Sequence, residues 1–295
     1  RPTVAVVTNV EADHLDIYAD LADIRRTFEE FVGRARHVVL CADDAGANTL
    51  QVPASAEVFR YALGPNEPGA TDGWTDARVI ARDVRFGDGG ARFEVVFDGD
   101  PLGEVQLVVP GVHNIRNALA AVCSGLALGA TLPRMAPGLR RFGGVERRFQ
   151  RLGDARGVSI VDDYAHHPTE IEATISAARA AYPGRRLVVA FQPHLFSRTR
   201  DFAREFGQAL AAADLVYLCE IYPAREQPIP GVHAGLIADA LADAGGTLAW
   251  RGDRPVGRIA AIENRAHTAF HGDRTGFFGF FEVADDGEAV AALLD

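Results

Sequence analysis

Lysine is missing from all 295 residues, so every one of the 30 basic side chains is arginine. A phosphate loop of the GxxxxGK[ST] type needs a lysine to reach the β- and γ-phosphates, and none is present. A lysine Schiff base and a carbamylated lysine ligand are excluded for the same reason. Cysteine is scarce: Cys41, Cys123 and Cys219 are scattered, without CxxC spacing. That excludes a zinc ribbon and a disulfide framework and leaves three small, core-type side chains. No apolar run approaches the roughly 20 residues of a membrane helix. The opening RPTVAVVTN lacks the layout of a signal peptide, so a soluble cytoplasmic protein with no membrane partner is expected. A positive balance is absent too. The formal net charge of -10 argues against a nucleic-acid partner, which would need a basic face.

What is present fits an α/β protein. Hydrophobic residues at 48% and charged residues at 24% predict packed cores, and the length accommodates two domains. VAVVTNV (4–10) and HVVLCA (37–42) read as buried parallel strands, with helical spacing at 21–33 between them. From 57 to 109 the segments EVFRYAL, ARVIARDVRF, ARFEVVFD and GEVQLVV read as an antiparallel patch, punctuated by GDGG and DGD. Helices follow at 114–128 and 132–141, and Gly143-Gly144 marks a hinge. A domain boundary is expected there, giving 1–144 and 145–295. Beyond it, VSIVDDYA, RLVVAFQP, DLVYLCEI and TLAW alternate with helices at 168–181, 200–212 and 233–243, the pattern of a mostly parallel sheet. GFFGFFEV reads as a strand and EAVAALL as a closing helix.

Polar clusters gather where these strands end, the usual place for ligands in open α/β sheets. TNVEADHLD (8–16) puts Asn9, Glu11, Asp13, His14 and Asp16 after the first strand. They suit a divalent cation near a phosphate, or simply a capped, solvated loop. PGVHNIRNALAA (110–121) sets His113, Asn114 and Asn117 at a helix start, for a purine edge and an anion or for capping alone. FGGVERRFQ (142–150) offers Arg147 and Arg148 to a phosphate, or to solvent. VDDYAHHPTE (161–170) holds Asp162, Asp163, His166 and His167. A zinc hydrolase site is one reading, but HExxH spacing is lacking, and contacts to a nucleotide or substrate fit better. In FQPHLFSRTRDF (191–202), His194 and Arg198 can grip a carboxylate while Ser197 caps the helix. EIYPAREQPIPGV (220–232) is a proline-rich strand exit, suited to lining a pocket or to serving only as a stiff loop.

Five of these clusters, in order, resemble the Mur ligase group, and within it the ligases that join L-alanine to UDP-N-acetylmuramate; YPAREQPIPG resembles the loop that follows in that family. The match runs over about residues 1–245, and FQPHLFSRT separates this branch from siblings that add later residues or recycle a tripeptide. The resemblance implies the remainder of a central ATPase domain with a mixed sheet, followed by a Rossmann-like domain. It implies ATP and Mg2+ as cofactors and an acyl-phosphate route to the amide in peptidoglycan synthesis. It implies His14 as a metal ligand, Asn114 as an adenine contact, Arg148 (or Arg147) on the phosphates and Asp163 on the nucleotide. It implies His167, His194 and Arg198 around the alanine, with Arg148, His167 and Arg198 as the catalytic set. Leu195 stands where some members carry arginine. The phosphate loop and the uridine domain would precede residue 1, and a last glycine-rich strand would follow the final helix. A fragment inactive by itself is therefore expected, with a sibling Mur ligase, a tripeptide-recycling ligase or a non-catalytic nucleotide-binding module as the alternatives.

Overall fold

The computed structural model describes residues 2–13, 17–87, 90–155 and 157–247, with the backbone of 250–251, 254–255, 258–262 and 277–282. The chain divides into two compact units, Arg1–Arg185 and Arg186–Asp295.

The first unit is built on a six-stranded sheet in the order β1-β2-β3-β4-β5-β6. Its strands are β1 (Val4–Val7), β2 (His37–Cys41), β3 (Glu57–Leu63), β4 (Val79–Gly87), β5 (Gly90–Phe97) and β6 (Asp100–Leu107). The pairs β1–β2, β2–β3 and β3–β4 are parallel; β4–β5 and β5–β6 are antiparallel. The sheet is thus mixed, as expected, but Glu57–Leu63 joins its parallel half rather than the antiparallel patch. Its hydrophobic run pairs with another buried strand, His37–Cys41, and continuous apolar runs are what a doubly covered parallel strand requires. Asp98 and Gly99 both take positive φ in the two-residue link between β5 and β6, the turn whose twist suits a hairpin.

Helices cover both faces. α1 (Leu21–Val32) starts at Asp20, whose carboxylate accepts from the Asp23 N–H at 2.8 Å. It packs Ile24 and Val32 with Val38 and Leu40 of β2. α2 (Ala45–Asn48) is a single turn after β2. On the other face, α3 (Val112–Ala127) buries Ile115, Leu119, Val122 and Cys123 at helical spacing against Val39, Cys41 and Tyr61. α4 (Leu132–Arg141) anchors Leu132 in the same core. The unit closes with an antiparallel hairpin, β7 (Gln150–Ala155) and β8 (Val158–Asp162), and α5 (Pro168–Ala181). The sequence reading has no strand at Gln150–Ala155 and starts a parallel sheet at VSIVDDYA. Among the described residues, β8 pairs antiparallel with β7.

In the second unit, β9 (Val188–Phe191) and β10 (Leu215–Leu218) pair in parallel. α6 (Phe196–Leu210) forms the crossover between them, and α7 (Gly235–Asp243) packs on α6. Short antiparallel pairs follow: β11 (Trp250–Arg251) with β12 (Arg254–Pro255), and β13 (Arg258–Ile262) with β14 (Phe277–Glu282). The strand expected in GFFGFFEV is β14. Of the strand expected at TLAW, Leu248 and Ala249 lie outside the described residues, and Trp250 begins β11, which pairs antiparallel with β12. The closing helix expected in EAVAALL lies outside the described residues.

Candidate functional site

The carboxyl ends of the parallel strands in the first unit open into a cleft of about 940 Å³, within the size range of small-molecule sites. Thr8, Asn9, Glu11 and Asp13 line it beyond β1, and Cys41 at the end of β2 is followed by Asp43 and Asp44 just past it. The start of α3 adds His113, Asn114, Arg116 and Asn117, and the segment after α4 adds Phe142, Val145, Arg148 and Phe149. Asp163, His167, Thr169 and Glu170 come from the β8–α5 corner.

The α3 end is open to a ligand. Its N-cap is Gly111, at φ 97, and no side chain caps the helix. A Cβ at Gly111 would lie 2.6 Å from the His113 ring and 3.0 Å from Ala177 Cβ, so only glycine fits this turn. Asn114 does not cap. Its Nδ2 donates backward to the Pro110 carbonyl at 2.7 Å, and its Oδ1 accepts from Asn117 Nδ2 at 3.5 Å. The N–H groups of the first turn form an anion-favouring end. Burial holds His113 below its ordinary pKa, with Asp163 opposing and Arg116 and Arg148 adding to the shift.

Arg148 reaches Glu170 at 3.0 Å with a half-exposed side chain. Burial raises the Glu170 carboxyl, but the His166 N–H and the Arg148 guanidinium outweigh it and bring Glu170 below its ordinary pKa. Glu170 also accepts from the His166 and His167 N–H groups at 2.9 and 3.2 Å, tying off the start of α5. Asp163 accepts from the Phe149 N–H at 2.7 Å and the Ala165 N–H at 2.8 Å, fixing the Arg148 segment to the β8 end. Arg147 turns elsewhere: its guanidinium lies 4.5 Å over the Tyr164 ring. His167 Nδ1 stands 3.7 Å from Glu11, and Thr169 Oγ1 donates to Glu11 at 2.7 Å.

The cleft therefore unites Asn114, Arg148, Asp163 and His167 of the expected residues. His14 and Asp16 lie outside the described residues. His194 and Arg198 belong to the second unit. There Leu195 is the α6 N-cap, held at φ 73 by its N–H to Tyr222 O at 2.9 Å. His194 stacks on Tyr222 at 5.6 Å, and Arg198 is buried. Ser197 does not cap the helix as expected. Its N–H and hydroxyl both donate to Glu226, which takes the capping role from the strand-exit loop. Asp43, Asp44 and Arg116 were missed as site residues. Two acids directly after a buried strand, and an arginine inside PGVHNIRN, were the available signals.

Among the described lining residues, six carboxylates (Glu11, Asp13, Asp43, Asp44, Asp163, Glu170) face two guanidiniums, Arg116 and Arg148. An open helix end, a guanidinium and this volume fit a nucleotide. A divalent cation is not matched in the same way: no group of three or more His, Cys, Asp or Glu among the described residues is placed to hold a metal. That includes the set Asp162, Asp163, His166 and His167 considered for a zinc hydrolase.

Strands sandwiched between helices, with a polar cleft beyond their carboxyl ends, define an α/β domain of the nucleotide-binding type. Residues 1–125 match the Mur ligase middle domain, and residues 147–277 match the family described as Mur ligase, glutamate ligase domain. The chain belongs to the Mur ligase family. A relative from Kineococcus radiotolerans, named UDP-N-acetylmuramate–L-alanine ligase, is 45% identical over 99% of this chain and 60% of its own length. One of the same name from Acidothermus cellulolyticus is 47% identical over 80% of this chain and 49% of its own. The crystal structure of UDP-N-acetylmuramate-alanine ligase MurC from Thermotoga maritima superposes with a TM-score of 0.64 at 26% identity, over 85% of this chain and 51% of that one. The chain thus spans about half to three-fifths of the length of these proteins.

Proposed function

We propose that this chain supplies the middle and glutamate-ligase parts, residues 1–144 and 145–295, of a cytoplasmic ATP-dependent ligase that joins L-alanine to UDP-N-acetylmuramate. The observation that carries the reading is the meeting of an uncapped helix end, Asn114, Arg148 and strand-end carboxylates on one cleft. The names of relatives at 45% and 47% identity support the choice of substrates.

When bound, the nucleotide supplies a phosphoryl group that activates a carboxylate toward an amine. The chain's part is placement. Asn114 presents a carboxamide to the base, and the first turn of α3 presents N–H groups to an anion. Arg148 sits on a glycine-flanked segment and offsets phosphate charge, while Asp163 holds that segment through the Phe149 N–H. Within the first unit, His167 is assigned to the alanine. Mg2+ would offset the repulsion between the cleft carboxylates and a polyphosphate, with His14, which lies outside the described residues, as its assigned ligand. The chain has no lysine to grip the β- and γ-phosphates, so it is inactive alone.

Calorimetric titration of the chain with an ATP analogue should show saturable binding, weakened about tenfold by Asn114→Ala, the scale of one lost buried hydrogen bond. Equal affinity in the variant would remove Asn114 from the reading, and no binding by the parent chain would remove the site. Ligation by the isolated chain is expected to be nil, and clear turnover would overturn its inactivity.

A further inference from the structure

Two arginines line the cleft, and they are held very differently. Arg148 makes one ion pair from a half-exposed position. Arg116 is tied at two points: its Nε donates to Asp43 at 3.0 Å and its Nη2 to the Gly69 carbonyl at 2.6 Å. Asp43 has a side chain only 1% exposed. It also accepts from the Leu63 N–H at 3.0 Å and from Thr71 Oγ1 at 2.9 Å. The Asp43–Arg116 pair therefore joins the end of β2, the 64–75 loop and the beginning of α3. The loop is seated so closely that a Cβ at Gly73 would fall 2.1 Å from the Ala42 carbonyl oxygen.

We propose that Arg116, oriented by Asp43, is a positioning residue: it clamps the 64–75 loop to the first turns of α3 and so sets the place of Asn114, without touching phosphate itself. This rests on the nucleotide reading above and deepens it. A guanidinium serves both acceptors from two nitrogens held in one rigid plane; a lysine would have to draw both acceptors onto a single nitrogen. With its charge spent on a buried carboxylate, Arg116 leaves Arg148 as the cleft guanidinium that answers an incoming phosphate.

The test compares Asp43→Asn, Arg116→Gln, Arg116→Lys and Arg148→Gln in the full chain, titrated with adenosine and with ADP. A clamp predicts that Arg116→Gln and Asp43→Asn weaken adenosine and ADP by the same factor, about tenfold, and that the double variant is no weaker than either. Arg148→Gln should weaken ADP and spare adenosine. Direct phosphate contact by Arg116 predicts the reverse sign for Asp43→Asn, which would free the guanidinium and tighten ADP. That result, or an Arg116→Gln loss confined to ADP, overturns the proposal. Amide exchange supplies a readout independent of ligand. Arg116→Gln should speed exchange in 64–75 and the first turn of α3 but not in α1, and Arg116→Lys, which keeps the charge if the glutamine variant fails to fold, should do the same. Unchanged exchange in 64–75 sinks the clamp, whereas failure of the parent chain to bind either ligand sinks the nucleotide reading and leaves the exchange result to decide the clamp.

Discussion

The parallel and antiparallel halves of the six-stranded sheet place their polar residues differently. In β2 of the parallel half, Val38 and Leu40 enter the core beneath α1 while Val39 and Cys41 enter the core beneath α3. With both faces covered, the strand has nowhere to put polarity except its end, where Asp43 and Asp44 meet the cleft. The antiparallel half spends polar residues along its length. Arg82 pairs with Glu94 at 2.6 Å across β4 and β5, and Arg78 lies against Phe59 and Phe97 while bonding Asp98 at 2.7 Å. Its contribution to the cleft is apolar, through Leu107 of β6 and Val109 just beyond. Covering a sheet twice thus concentrates chemistry at strand ends, whereas leaving a face to solvent disperses it into surface pairs worth little each.

The comparison breaks first, if it breaks, in the antiparallel core. Phe93 is 1% exposed in β5 and does not line the cleft. Phe93→Ala should cost about 3–5 kcal/mol by urea unfolding, the usual range for a buried phenylalanine. The folded variant should bind an ATP analogue as the parent does. A large loss of affinity in the folded variant would mean that the halves do not divide their roles.

A smaller effect is expected inside the cleft. Glu170 gathers the His166 and His167 N–H groups and Arg148, so Glu170→Gln should cost about 1–2 kcal/mol at neutral pH. The sign with pH follows from its depressed pKa. The stabilisation is complete above the ordinary value of 4.5 and is lost as pH falls through the lower value of the folded state. Unfolding midpoints of parent and variant should therefore converge in acid. A gap that persists there would mean that the charge of Glu170 is not what matters.

Much of this was visible in the residues, for a physical reason. TNVEAD, PGVHNIRN and VDDYAHHPTE each follow an apolar run, and a buried run can place polar groups only where it stops. The family resemblance rests on those same corners. What stayed hidden depends on partners far along the chain. The direction of β3 is set by β2 and β4, not by its own pattern. β7, QRLGDA, is largely exposed along its length, so it carries no alternation to read. Asp43 meets Arg116 from 73 residues away and Glu226 meets Ser197 from 29. A local scan assigns each of these to solvent or to a cap.

The finest test concerns His113, at the mouth of α3, where the doubly covered half gives way to the cleft. Burial is the leading cause of its lowered pKa, so the unfolded chain takes up a proton more readily than the folded one. Stability should therefore fall as pH drops below the ordinary value of 6.5, until the folded-state value is passed. His113→Gln removes the titrating group. The difference in unfolding free energy between parent and variant should shift against the parent between pH 7.5 and 5.5 by at most on the order of 1 kcal/mol. A shift of the opposite sign would mean that the Asp163 carboxylate, which favours the charged ring, outweighs burial, and that the floor of the cleft is wetter than its packing suggests.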